Sequence, residues 1–409
     1  MLQIIWLFFI LSAFLASCYQ VFFLGNLGAF SDVMNAVMSM AKLSVEIALG
    51  LIGLLAFWLG IFQIAEQSGM VNRFAKLLEP LLSRLMPEIP KDHPAFGSIT
   101  MNLSANVLGL DNAATPFGIK AMSDMQSLAS DKNTLTNAQI LFLVLNTSSV
   151  TLFPIAVFLY RAEAGSAHPT DVFIPILLAT SASTLVGVIV TCLVQRINLF
   201  SRVIIFYGLA CVVLLGSIML YFMQLAADVL ATQSSLIANF LLFTFIVLVL
   251  GLGARRKLDT YALFVDGAKK GFNLAITLIP YLLAMLFAIG MLRASGVMEF
   301  IMTSFANVLY IFGWDTRFVD ALPTAFMKPL SGSGARALMI ETMQYHGADS
   351  FAGRLASVLQ GSTETTFYVL AVYLGAIGVK YSRYAVACCL AADVAGITTA
   401  IVVSYWFFG

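Results

Sequence analysis

Leu2–Phe30 carries no charged residue, and stretches of the same apolar character recur down the chain. About 20 such residues are enough to cross the hydrocarbon core of a bilayer as a helix. In lipid an unpaired backbone amide costs several kcal/mol, so broken helix at membrane depth survives only where protein or a watery cavity covers it. Two stretches test that rule: Asn102–Gly118 (NLSANVLGLDNAATPFG) and, more faintly, Pro329–Gly334 (PLSGSG). Both are polar and rich in small residues. Discontinuous helices in matching positions of two halves are a pointer to a transporter's substrate site.

Of the 409 residues, 60% are hydrophobic and 11% charged, against about 25% charged in soluble domains. The expectation is an all-α polytopic membrane protein with the lipid bilayer as its first partner. A formal net charge of +1 offers no field for nucleic acid. No CxxC or HxxxH pair occurs, and Cys388 and Cys389 lie in an apolar run, so neither a metal site nor a disulfide is expected. Walker and GxSxG motifs are missing, and no nucleophile–base pair stands out. The chain therefore reads as neither an ATP-driven pump nor an enzyme. No cofactor is expected beyond a coupling proton or sodium ion.

In chain order, Leu2–Phe30 reads as a retained first span, since no basic residues precede it as in a signal peptide. Ser31–Lys42 reads as an interfacial amphipathic piece and Ile47–Ala65 as the second span. An amphipathic segment, Gln67–Met86, leads to the proline-rich Pro87–Pro94. Asn102–Gly118 follows. Gln139–Tyr160 is a span interrupted by NTSSVTLFP, and Val172–Val194 is another. Val203–Ala227 is a plain apolar helix. Ile237–Leu252, Gly271–Leu292, the polar-mouthed Val358–Val379 and Tyr384–Phe408 complete about nine full spans, with Leu263–Lys270 a short amphipathic stretch.

Two halves can be overlaid. At an offset of 227, Leu55, Leu59, Ser68, Gly69, Leu103 and Ser104 fall on Leu282, Leu286, Ser295, Gly296, Leu330 and Ser331. The order of features repeats too. This divides the chain into a first repeat, 1–200, a linker helix, 201–228, and a second repeat, 229–409. Cytoplasmic loops collect Lys and Arg. Placing Arg73–Lys91, Gln195–Arg202 and the ARRK cluster inside sets the N-terminus in the cytoplasm and inverts the second repeat, an arrangement of many secondary transporters. Its cost is that Arg317, Lys328, Arg336 and Arg354 then fall outside, unless Lys328 and Arg336 belong to a re-entrant site.

The candidate substrate-binding residues sit on these features. Asn102, Ser104, Asn106, Asp111, Asn112 and Thr115 belong to the first broken segment, and Ser331 and Ser333 to the second. Asn146, Thr147 and Ser148 line one polar mouth; Gln360, Ser362, Thr363, Glu364 and Thr365 line the other. Asn and Ser both donate and accept, and freed amides at a restarting helix attract anionic or hydroxyl groups. The competing reading is close helix packing by small residues. Glu364, an ionisable group in a membrane span, is a functional candidate by default. Asp111 doubles as a helix N-cap, and Asp393 doubles as a partner for Lys380 or Arg383.

The same motifs carry a family resemblance. NLSANVLGLDNAATPFGIKAM resembles the signature of spore maturation protein A. KPLSGSGARALMIE, HGADSFAGRLASVLQGSTETTFYVLAVYLGAIG and KYSRYAVACCLAADVAGI resemble spore maturation protein B. The chain resembles a fused A/B form whose halves are similar to the nucleoside-recognition, or gate, domain family. That family includes parts of concentrative nucleoside transporters and of ferrous iron transporters. In the A signature Gly is expected where this chain has Asp111.

The reading that results is a secondary transporter in the bacterial inner membrane, working by alternating access. Its partner is a small-molecule solute: a nucleoside, an amino acid or dipeptide, or an envelope precursor. A homo-oligomer is the other partner, with the lone helix as interface or adaptor. The rival reading is a non-transporting scaffold or regulator of envelope or spore-type maturation.

Overall fold

The structure, a computed structural model, describes residues 2–90, 92–108 and 111–409, with side chains for all of these except 2 and 111–113. In order the helices are α1 (Leu2–Leu24), α2 (Ala29–Gln67), α3 (Met70–Leu85), α4 (Pro94–Val107), α5 (Asp111–Leu128), α6 (Asn137–Thr147), α7 (Ile155–Glu163) and α8 (Phe173–Gln195). They continue with α9 (Arg202–Met223), α10 (Ala227–Arg255), α11 (Thr260–Ala294), α12 (Val297–Ile311), α13 (Leu322–Met327), α14 (Gly332–His346), α15 (Phe351–Gly361), α16 (Thr366–Ile377) and α17 (Ala385–Phe408). Among the described residues, seven helices are long and apolar enough to cross a membrane: α1, α2, α8, α9, α10, α11 and α17. The protein is an all-α polytopic membrane protein.

Several elements differ from their sequence reading. α2 is one helix of 39 residues, not an interfacial piece followed by a span. No proline interrupts it, Lys42 and Glu46 pair one turn apart, and extending a helix costs far less than nucleating a second. α11 likewise fuses two expected pieces over 35 residues, with Pro280 inside. The two polar mouths are gaps within helices. α6 stops at Thr147 and α7 starts at Ile155; α15 stops at Gly361 and α16 starts at Thr366. Thr147 and Ser148 each donate their hydroxyl back to the Val144 carbonyl, and Pro154 lacks the amide that would continue a helix.

The order long helix, left-handed glycine, short helix, paired helices, broken helix and apolar span runs from α2 to α8. It runs again from α11 to α17. Gly69 (φ 70°) caps α3 and Gly296 (φ 74°) caps α12, both in a conformation that L side chains rarely adopt. They are the glycines that the offset of 227 superposes.

The chain divides into two compact units: Met1–Gly60, Ala156–Pro169 and Val265–Gln360 in one, and Ile61–Ile155, Thr170–Phe264 and Gly361–Gly409 in the other. Each draws on both halves of the sequence. In the first, α11 crosses α2 at Gly271, where a Cβ would lie 2.5 Å from the Leu55 carbonyl oxygen. Only a residue without a side chain lets the two backbones approach so closely. Trp6 of α1 donates to the Ala284 carbonyl at 2.7 Å and Gln20 to that of Ser295 at 2.9 Å.

In the second unit α8 and α17 pack along each other, and α4, α5, α6 and α16 gather beside them. Ile99, Met122, Ile140, Leu141 and Phe142 form its core. α9 is nearly bare: Phe222, against the Phe407 ring at 5.1 Å, is its one buried residue.

Candidate functional site

The broken segments of the second unit meet around α4 and α5. With 14 residues, α4 is about 21 Å long at 1.5 Å per residue, too short to cross about 30 Å of hydrocarbon. It packs against α5, the next helix in the chain, as the first arm of a helix pair. Ser98 donates to the Asp124 carboxylate, which also takes Lys120 at 2.9 Å. The sequence's first broken segment, Asn102–Gly118, covers the end of α4 and the start of α5.

Asn102 and Asn106 lie one turn apart on α4. The Asn102 amide donates to the Ala114 carbonyl at 2.8 Å and to the Tyr373 hydroxyl at 3.3 Å. Asn106 donates to the Asn146 side-chain oxygen at 2.9 Å, and the Tyr373 hydroxyl donates to that same oxygen at 3.3 Å. Asn146 in turn donates to the Phe142 carbonyl at 2.8 Å. Three asparagines and one tyrosine thus tie α4, α6 and α16 together. Gly118 makes room for them, since a Cβ there would collide with the Tyr373 hydroxyl.

The gaps are stitched by backbone. The Leu152 amide donates to the Val107 carbonyl at 3.0 Å, and the Glu364 amide to the Thr147 carbonyl at 2.8 Å. Thr184 of α8 donates to the Ser148 carbonyl. Thr365, in the cap position before α16, makes no side-chain cap, so the first amides of α16 keep the partial positive charge of a helix start. Buried here are Asn102 Oδ1, Ser104 Oγ and Thr363 Oγ1, none with a hydrogen-bond partner. Leaving such a group unpaired costs about 1–3 kcal/mol. Glu364 is exposed, while Ser362 and Thr365 are buried and Thr115 is half-buried. The side chains of Asp111 and Asn112 lie outside the described residues.

The remaining candidates belong to the first unit. Ser331 caps α14, accepting from the Gly334 amide at 3.0 Å, and its hydroxyl lies 3.2 Å from that of Ser333. Gln360 is buried at the end of α15 with its Oε1 unpartnered, as is Thr324 Oγ1 on α13. Lys328, between α13 and α14, is buried. The chemistry around it is ionic: Arg293 pairs with the buried Glu341, and the Arg336 guanidinium lies over the Tyr160 ring at 5.3 Å.

Sequence reasoning overlooked the fully buried Arg161. It bonds Asp349 at 3.0 Å and the Ala348 carbonyl at 2.8 Å. Burial pushes the Asp349 carboxyl up. Hydrogen bonds from Ser166 and Ala167, with the charges of Arg161 and Arg354, outweigh that and hold it below its usual 3.8. Tyr373 was overlooked as well, although a tyrosine in an apolar helix normally seeks a partner for its hydroxyl. Asp393 bonds the Thr366 hydroxyl at 2.7 Å. Among the described residues, no three His, Cys, Asp or Glu gather as a metal site.

A multi-pass helical membrane protein with interrupted helices and a buried neutral polar cluster is the class these features define. The family model of the gate domain, described as nucleoside recognition, matches residues 48–166 and 275–380, more than half of the chain. Spore maturation protein A of Bacillus subtilis (strain 168) is 45% identical over 163 residues, 40% of this chain and 83% of that protein. Spore maturation protein B of the same organism is 41% identical over 157 residues, 38% of this chain and 86% of that protein. The chain belongs to the nucleoside-recognition (gate) family, alongside spore maturation proteins A and B. No solved structure matches it significantly.

Proposed function

We propose that this protein is a secondary transporter of a small polar solute, working by alternating access. The observation that carries the reading is the meeting of three helix interruptions around Asn102, Asn106, Asn146 and Tyr373, with three buried polar atoms left without partners. A polar cluster at membrane depth has to be covered or to serve a ligand. Amides that both donate and accept suit a hydroxyl-, amide- or base-bearing solute. The uncapped start of α16 suits an anionic or hydroxyl group, and Glu364 suits an amine. The family description puts nucleosides first among the solutes to try, ahead of amino acids, dipeptides and envelope precursors. The helix order supports two inverted repeats joined by α9, and the basic loops support an amino terminus inside the bacterial plasma membrane.

The test is thermal unfolding of the purified protein against nucleosides, amino acids, dipeptides and cell-wall fragments, followed by uptake into proteoliposomes. A solute at a hundred times its Kd should add about 2.7 kcal/mol of stability. Asn106→Ala should abolish the shift and the uptake. If no solute stabilises the wild type and none is taken up, the transporter reading fails and the scaffold reading replaces it.

A further inference from the structure

The second unit carries a cavity of about 410 Å³ where α3 and α8 end and α6 and α9 begin. Small-ligand sites run from about 300 to about 1,000 Å³. α8 and α9 are consecutive candidate spans, so the link between them, 196–201, lies where the chain leaves the membrane and re-enters it. α3 marks the same level. It buries Val71, Ala75, Leu82 and Leu85 and exposes Arg73, Lys76, Glu79 and Arg84, the pattern of a helix lying in the interface. The cavity therefore opens at headgroup depth. Two arginines line it: Arg84 in the last turn of α3 and Arg196 in the link. Arg196 stands in the left-handed cap position of α8 (φ 56°), where glycine is usual. Among the described residues neither guanidinium has an ion pair or a hydrogen bond. The carboxylate in the lining, Glu88, is already engaged at the start of α6. It accepts from the Asn137 side chain at 2.8 Å and from the Ala138 amide at 3.3 Å. Gln195 donates to the Asn137 carbonyl at 2.9 Å, and the Asn137 side-chain oxygen accepts from Tyr384 at 2.7 Å. The arginines are the groups left over.

We propose that this cavity binds the phosphate of an anionic phospholipid. Two unpaired guanidiniums in one cavity attract an anion, and the planar fork of arginine matches the oxygens of a phosphate. Basic pockets between membrane helices on the cytoplasmic side take anionic headgroups, and the basic loops support that side for this end of the unit. The apolar surroundings favour a lipid over free phosphate. Phe200 in the link is 85% exposed, Phe206 at the start of α9 68% and Leu193 at the end of α8 65%. Acyl chains cover such side chains; a free phosphate ion leaves them bare. The lipid would fasten the end of α3 to the joint between α8 and α9, where Tyr207 of α9 already donates to the Leu77 carbonyl at 2.5 Å. The inference does not rest on the transporter reading. Asn137 and Asn146 lie at opposite ends of α6, so the cavity is separate from the asparagine cluster.

The full-length protein is stripped of lipid in an uncharged detergent and titrated with phosphatidylglycerol, phosphatidylcholine or inorganic phosphate. Thermal unfolding reads the stabilisation, and native mass spectrometry reads the lipid retained. Phosphatidylglycerol should raise the midpoint saturably and be retained. Phosphatidylcholine, whose headgroup has no net charge, and inorganic phosphate should do neither. Arg84→Gln/Arg196→Gln should weaken phosphatidylglycerol binding about a hundredfold, the worth of two charge-assisted hydrogen bonds. Arg73→Gln/Lys76→Gln removes the same charge from α3 outside the cavity and should bind nearly as the wild type does. If the double arginine variant does not fold, Arg84→Lys and Arg196→Lys decide. Each keeps the charge and loses the fork, and at least one should bind about tenfold more weakly, one lost charge-assisted contact. No shift specific to phosphatidylglycerol, equal losses in the two double variants, or wild-type affinity in both lysine variants overturns the proposal. So does a shift by inorganic phosphate that competes with the lipid, which would make the cavity a site for a free anion.

Discussion

The helix pairs α4/α5 and α13/α14 occupy matching places in the two halves, yet their surroundings differ in chemistry. Around α13 and α14 the buried polar groups include the charged Lys328 and Glu341, and Arg293–Glu341 and Arg161–Asp349 pair within the same unit. Around the end of α4 they are neutral amides and a phenol. An ion pair is directed at one partner and is costly to open. Amides can exchange one partner for another at small cost. The ionic region behaves as a bracket, and the amide region is the one equipped to change hands with a ligand.

Arg161→Met should have the largest effect. It removes the Arg161 charge from Asp349, which keeps its bonds from Ser166 and Ala167, and leaves the Pro169 and Ala348 carbonyls without that donor, so about 3–5 kcal/mol of stability should go. The midpoint of thermal unfolding measures this; a loss below 1 kcal/mol would mean that the bracket is ornamental. Asn146→Ala is next, at about 1–3 kcal/mol, because Asn106 and Tyr373 lose their shared acceptor. It should also abolish solute binding, whereas Arg161→Met should leave the affinity of the surviving folded protein unchanged. Reversed outcomes would exchange the roles of the two regions.

The smallest effect is on acid stability. Asp349 is held below 3.8 in the folded state, so its contribution is complete above that value and fades as pH falls through the lower folded pKa. Asp349→Asn should remove this acid-sensitive component and flatten the pH dependence below about pH 4. An unchanged acid limb would show that other carboxylates set it.

The helix interruptions were legible because their causes are local. Pro154, the hydroxyls of Thr147 and Ser148, and the glycines and serines of Pro329–Gly334 act within a turn or two of themselves. The assembly of the site was not legible. Asn102 and Tyr373 are 271 residues apart in sequence, and nothing near Tyr373 marks it as a partner for an amide on α4. Arg161 looked like an ordinary basic residue at a helix end, because the groups that bury it come from beyond Ala348. The fusion of Ser31–Lys42 with the second span was missed for another reason. A change from amphipathic to apolar pattern marks a change of surroundings, not a stop in hydrogen bonding.

Each compact unit takes segments from both halves of the chain, and this orders events during synthesis. When α8 has left the ribosome, the second unit still lacks α16 and α17, and Asn146 still lacks the Tyr373 hydroxyl. The first unit still lacks α11 to α15, and Arg161 has no carboxylate to meet. Half-made protein must therefore wait in the membrane with its polar groups open, and neither unit can close before translation is nearly complete.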